Sequence, residues 1–102
     1  MKRFRPTYDL AEIQKKVRDG EWVITKLARD EAFKLEFDST DIKECVLDLT
    51  RADFSHSMPA NRGPTSGLWQ DVYNPDYDGL TLYVKLQVSA ANRAVVIDFK
   101  EK

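Results

Sequence analysis

The sequence predicts an α+β fold, with N-terminal helices packed on one face of a C-terminal antiparallel sheet. Apolar residues early in the chain recur at helical spacing, as in Leu10, Ile13 and Val17. Beyond the segment Pro59 to Gly67 the period becomes two. Leu80, Leu82, Val84, Leu86 and Val88 there alternate with Thr81, Tyr83, Lys85 and Gln87, giving one buried and one wet face. The helical patterns all precede the strands, which is the order expected of a layer of helices on a sheet.

Asp9 is placed to cap the first helix, and Gly20 supplies its stop. Lys15, Lys16 and Arg18 fall near the C-terminal end, where the helix dipole favours cations. Trp22-Val23-Ile24 reads as a short edge strand. Thr25 caps a second helix through Leu27, Ala28, Ala32, Phe33 and Leu35. Ser39 or Thr40 opens a third, with Ile42, Val46, Leu47 and Leu49 inward and Cys45 in the core. Thr50-Arg51-Ala52-Asp53 has capping-box spacing and predicts a short helix holding Phe54, His56 and Met58. Pro59 to Gly67 is a loop by its two prolines, two glycines and small polar residues, with Arg62 as its one charge. Leu68 to Tyr73 is a strand, Asn74 to Gly79 a turn and Leu80 to Val88 the central strand. Ala91-Asn92-Arg93 turns the chain into a last strand with Val95, Ile97 and Phe99 inward and Val96, Asp98 and Lys100 opposite.

Length and composition exclude several classes. The 102 residues suit one domain, 1–102, with 11 aromatic residues to anchor its core. Sixteen basic and 17 acidic residues leave a net charge of −1, so a nucleic-acid function would need a local patch of cations. No stretch approaches the ~20 apolar residues of a membrane helix. The opening Met1-Lys2-Arg3-Phe4-Arg5-Pro6 leads to Asp9 and Glu12 and reads as no signal peptide, so a cytoplasmic location is expected. The single Cys45 allows no internal disulfide, and with one histidine the chain lacks the N/S ligands of a conventional zinc site. No cofactor motif is present.

The wet face of the sheet collects the candidate chemistry. Tyr83 and Lys85 come from the central strand and Lys100 from the last. Gln70 joins them if Trp69 and Tyr73 point inward, and His56 can overhang the same surface. The set supplies a proton-transfer group (His56), cations for phosphate (Lys85, Lys100 and the loop's Arg62) and hydrogen-bonding groups (Gln70, Tyr83). Such a mixture suits RNA cleavage without metal, in which a 2′-hydroxyl attacks its own phosphate. Each residue also has an ordinary reading: a surface histidine, the solvent side of a half-buried sheet, a solubilising terminus.

A resemblance separates these readings. Trp69-Gln70-Asp71-Val72-Tyr73, the Tyr83-Val84-Lys85 strand and the terminal Phe99-Lys100-Glu101-Lys102 resemble the MqsR family of bacterial toxins. So do Asp53-Phe54 with Ser57-Met58 and the opening helix ending in Gly20. The similarity runs from about Pro6 to Lys102. It implies a RelE-like endoribonuclease fold and the toxin of a type II toxin–antitoxin pair, which cuts mRNA, stops growth and is neutralised by an MqsA-like antitoxin. DNA would be bound only indirectly, through the antitoxin. The family's functional glutamine, tyrosine and near-terminal lysine fall on Gln70, Tyr83 and Lys100. The family's Phe-Tyr-Lys-Ser-Met is here Phe54-Ser55-His56-Ser57-Met58, so a histidine stands where the family has an important lysine. A side chain titrating near neutral pH can take over proton transfer there. The competing expectation is a catalytically weakened interaction module of the same fold that binds an antitoxin.

Overall fold

The computed structural model describes residues 1–60 and 67–102. Three helices come first: α1 (Leu10–Arg18), α2 (Lys26–Lys34) and α3 (Ser39–Asp48). Strand β1 (Trp22–Ile24) lies between α1 and α2. The later strands are β2 (Phe54–Pro59), β3 (Trp69–Tyr73), β4 (Asp76–Tyr77), β5 (Leu80–Val88) and β6 (Ala94–Glu101). Five strands form a sheet in the order β1-β6-β5-β3-β2, and the two-residue β4 pairs with the start of β5. All pairings are antiparallel except β1 with β6. The fold is α+β, as the patterning predicts.

The caps explain where the helices begin. Asp9 accepts a hydrogen bond from the Ala11 N–H at 3.1 Å, and Thr25 accepts one from Ala28 at 3.0 Å. The third helix is capped by Asp38, one residue before the expected Ser39 or Thr40. Its carboxylate accepts from Thr40 and Asp41, while Asp41 accepts in return from the Asp38 N–H. Asp38 prevails because a carboxylate accepts two backbone donors at once and complements the helix dipole.

One side of the sheet is covered by the helices. Ile13 and Val17 of α1, Ala28 and Ala32 of α2, and Ile42, Cys45 and Val46 of α3 form a buried cluster with Tyr73, Leu82, Val84, Leu86, Val96 and Phe99. Burial pushes the Cys45 thiol up to about 12, so it acts as a small apolar core residue. The other side, the outer face, carries the alternate residues of β5.

Two elements differ from the sequence expectation. The expected short helix over Phe54, His56 and Met58 is a three-residue 3₁₀ turn, Arg51–Asp53, followed by strand β2. The local signal was real: Asp53 accepts from the Thr50 N–H at 2.8 Å. But Phe54, His56 and Met58 also stand at a spacing of two, and pairing with β3 supplies backbone partners that one helical turn could not. A register shift between Phe54 and His56 puts Phe54 on the core side and His56 on the outer face, opposite Val72.

The second difference lies in β6. Ala94 and Val96 face the core, where alternation counted from Phe99 expected Val95 and Ile97. The register advances by one residue between Leu86↔Val96 and Lys85↔Asp98, which is a β-bulge. The bulge reverses facing on one side of Ile97 only. Phe99 therefore remains inward, with Asp98 and Lys100 on the outer side, as expected.

Candidate active site on the outer face of the sheet

The site grows from strand register. His56, Val72, Lys85 and Asp98 form one row across β2, β3, β5 and β6. Tyr83 and Lys100 are paired in the next row, and Met58 pairs with Gln70 on the other side. Because side chains in register share a face, Gln70, Tyr83, Lys85, Lys100 and His56 all lie on the outer face. Four of these were assigned there by alternation alone. His56 reaches it as a strand residue, not by overhanging from a helix end. Arg62 lies outside the described residues.

Tyr83 is the centre of a cationic cluster. The Lys100 ammonium lies 5.1 Å and the Lys85 ammonium 5.7 Å from the centre of its ring. The two lysines differ in availability. Lys85 has a side chain only 14% exposed and is paired with Asp98 at 3.3 Å. Lys100 is 49% exposed and, among the described residues, its one ion-pair partner is Glu31, at 3.9 Å. Lys100 is thus the freer charge.

Neither carboxylate was singled out from sequence. Asp98 was legible as a neighbour by its alternation with Phe99. Glu31 belongs to α2 and carried no local signal. It reaches the sheet through the Phe99 N–H, which β1, pairing only with Ala94 to Val96, leaves open and which donates to Glu31 Oε1 at 3.0 Å. Burial raises the Glu31 carboxyl above its ordinary range; the Phe99 hydrogen bond opposes this, and the charge of Asp98 adds to it.

Gln70 is oriented by another residue absent from the sequence candidates. Its Nε2 donates to Gln87 Oε1 at 2.9 Å, and Gln87 is itself buried. His56 stands apart from the lysine cluster. With Val72 between them, His56 and Lys85 lie two strand spacings apart, about 10 Å at the backbone. Val72 is fully buried, giving that row an apolar floor between two basic side chains. The His56 Nδ1 is 2.9 Å from Ser55 Oγ. Partial burial, and then the positive charges of Lys2 and Lys85, lower its pKa below 6.5, favouring the neutral ring at neutral pH.

Among the described residues no three His, Cys, Asp or Glu side chains gather as a metal site. Nor is any helix among them long and apolar enough to cross a membrane.

An α+β fold with basic, hydroxyl and amide groups drawn together on one sheet face belongs here to a class of toxins. Residues 5–101 match the family described as motility quorum-sensing regulator, toxin of MqsA, and the chain belongs to that family. It is also similar to the mRNA interferase toxin MqsR of Escherichia coli (strain K12), 29% identical over 102 residues, with all of both chains covered.

Proposed function

We propose that this protein, acting as one domain over residues 1–102, is a metal-independent mRNA endoribonuclease that halts translation in the cytoplasm until an MqsA-like antitoxin neutralises it. Contact with DNA would come only through that antitoxin. The observation that carries the reading is the cluster of Tyr83 between the Lys85 and Lys100 ammonium groups, in a chain of this toxin family.

In the proposed reaction the scissile phosphate lies over the Val72 row, between His56 and the two lysines. Neutral His56 takes the proton of the 2′-hydroxyl, whose oxygen attacks the adjacent phosphorus. Lys100, with Lys85 behind it, stabilises the charge gathering on the phosphoryl oxygens. The P–O5′ bond breaks, and the departing oxygen receives a proton from the Tyr83 hydroxyl. Gln70, held by Gln87, orients the ribose and phosphate. Arg62 is an additional phosphate contact in this reading. The products are a 2′,3′-cyclic phosphate and a 5′-hydroxyl, with no external water consumed.

Incubation of the purified protein with a transcript in EDTA tests this directly. Cleavage should persist, leave 5′-hydroxyl ends and fall about 100-fold or more in Gln70→Ala, as for loss of one transition-state contact. An intact transcript, or 5′-phosphate ends with a strict magnesium requirement, would overturn the mechanism.

A further inference from the structure

The opening basic segment is left without a role by the sheet-face site, yet the structure fixes it beside His56. Arg3 pairs with Ser57 as an isolated antiparallel bridge, each N–H donating to the other's carbonyl at 2.8 Å. The segment therefore extends the sheet beyond β2, the strand that carries His56. It is tied down again a few residues later. The Thr7 and Tyr8 N–H groups donate to the fully buried Asp71 carboxylate at 3.0 and 2.9 Å, and Tyr8 Oη donates to the Trp69 carbonyl at 2.6 Å. Two anchors make this a positioned arm, with less conformational freedom to lose on binding than a loose tail.

Its chemistry is one-sided. Residues 1–8 contain Lys2, Arg3 and Arg5 and no carboxylate. Among the described residues none of these three cations is in an ion pair, and positions 61–66 contribute no acidic residue that could supply one. Arg3 lies over the Trp69 ring at 3.4 Å. Alternation about Arg3 directs its neighbours Lys2 and Phe4 to the opposite side, that of His56 and Met58. The influence of Lys2 on His56 titration agrees with this placement. Phe4 is 77% exposed, an apolar ring left in water on the arm that pairs with the His56 strand.

We infer that this arm is a single-stranded RNA contact, in which Lys2 binds a backbone phosphate and Phe4 stacks on a base next to the scissile linkage. The inference rests on the nuclease reading above and extends it to residues 2–4, which precede the family match at residue 5. An exposed aromatic ring with an adjacent unpaired cation is what splayed, unpaired bases are stacked upon. It also adds positive charge to that of Lys85 and Lys100 in a molecule whose net charge is −1.

The test measures binding of an uncleavable single-stranded RNA with 2′-O-methyl riboses, alongside cleavage of an ordinary transcript. Phe4→Ala should weaken oligonucleotide binding roughly ten-fold, and Phe4→Trp should restore it, with indole fluorescence quenched on binding. Lys2→Ala should lower the salt dependence of log Kd by about 0.7, one single-strand phosphate. In cleavage, both alanine variants should raise KM more than they lower kcat. Wild type that cuts RNA while the arm variants bind like wild type overturns the arm and leaves the nuclease reading intact. Wild type that neither binds nor cuts overturns both. Variants that keep RNA affinity but lose antitoxin binding would make the arm a protein interface instead.

Discussion

Tyr83 and Lys100 face each other across β5 and β6, and the Lys100 ammonium stands 5.1 Å from the centre of the tyrosine ring. Their pairing couples the freer of the two lysines, Lys100 over Lys85, to the Tyr83 hydroxyl. Strand β5 fixes the position twice over, since Val84, the next residue, is wholly buried in the core on the other side. Chemistry and stability therefore separate between adjacent residues of one strand.

Tyr83→Phe and Lys100→Ala should retain the fold and reduce cleavage about 100-fold, the lower range for loss of a proton-transfer or charge-stabilising group. Val84→Ala should instead cost about 2 kcal/mol and lower Tm by roughly 10 °C. Thermal unfolding and single-turnover cleavage of all three variants check the division. A drop in Tm for Tyr83→Phe as large as that of Val84→Ala would refute it.

His56 should give the pH profile its acid limb. Its pKa is held below 6.5 by partial burial first and by Lys2 and Lys85 next. A base must be neutral to act, so kcat/KM, which reports the free protein, should be level near neutrality and fall as pH drops through that lowered pKa. In His56→Lys a lysine starting near 10.4 stays charged, and the acid limb should vanish. Rates from about pH 5 to 9 for both proteins supply the comparison. Superimposable profiles would remove His56 from proton transfer.

The Lys85–Asp98 pair predicts a stability effect. Both side chains are largely buried, at 14% and 9% exposure, so Asp98→Asn leaves an ammonium short of its counter-charge in a poorly solvated place. A loss of about 2 kcal/mol is expected, below the 3–5 kcal/mol of a fully buried pair because the lysine retains some solvent. Lys85→Met should cost a similar amount, and the double variant less than the two together. Urea unfolding of the four proteins gives the coupling, and strict additivity would show that the pair is not an energetic unit.

Tyr73→Phe should stabilise. Tyr73 is fully buried in the core cluster, and among the described residues its hydroxyl finds no hydrogen-bond partner. Burial pushes that phenol up to about 12. Removing a desolvated, unpaired oxygen should gain roughly 1 kcal/mol, provided the ring keeps its edge-on contact with Phe54 at 5.5 Å. A lower midpoint in urea would mean that the hydroxyl is paired after all.

Local pattern alone determined the three helices, the central strand and its wet face. A cap such as Asp9 or Thr25 acts within three residues, and the alternation of Leu80 to Val88 follows from strand geometry with no knowledge of partners. That is why Gln70, Tyr83, Lys85 and Lys100 were legible as one surface. The positions that only the tertiary structure decided are those where a distant strand competes with a local preference. Pairing with β3 drew His56 out of a capped turn into β2, and a bulge in β6 turned Val96 inward while leaving Asp98 beside Lys85. Glu31, Gln87 and the opening arm likewise join the site across 68, 17 and 54 positions, through Phe99, Gln70 and Ser57 respectively. Backbone hydrogen-bonding groups must be satisfied wherever the chain is buried. Which partner satisfies them is set by the assembled sheet, and no window of neighbouring residues contains that partner.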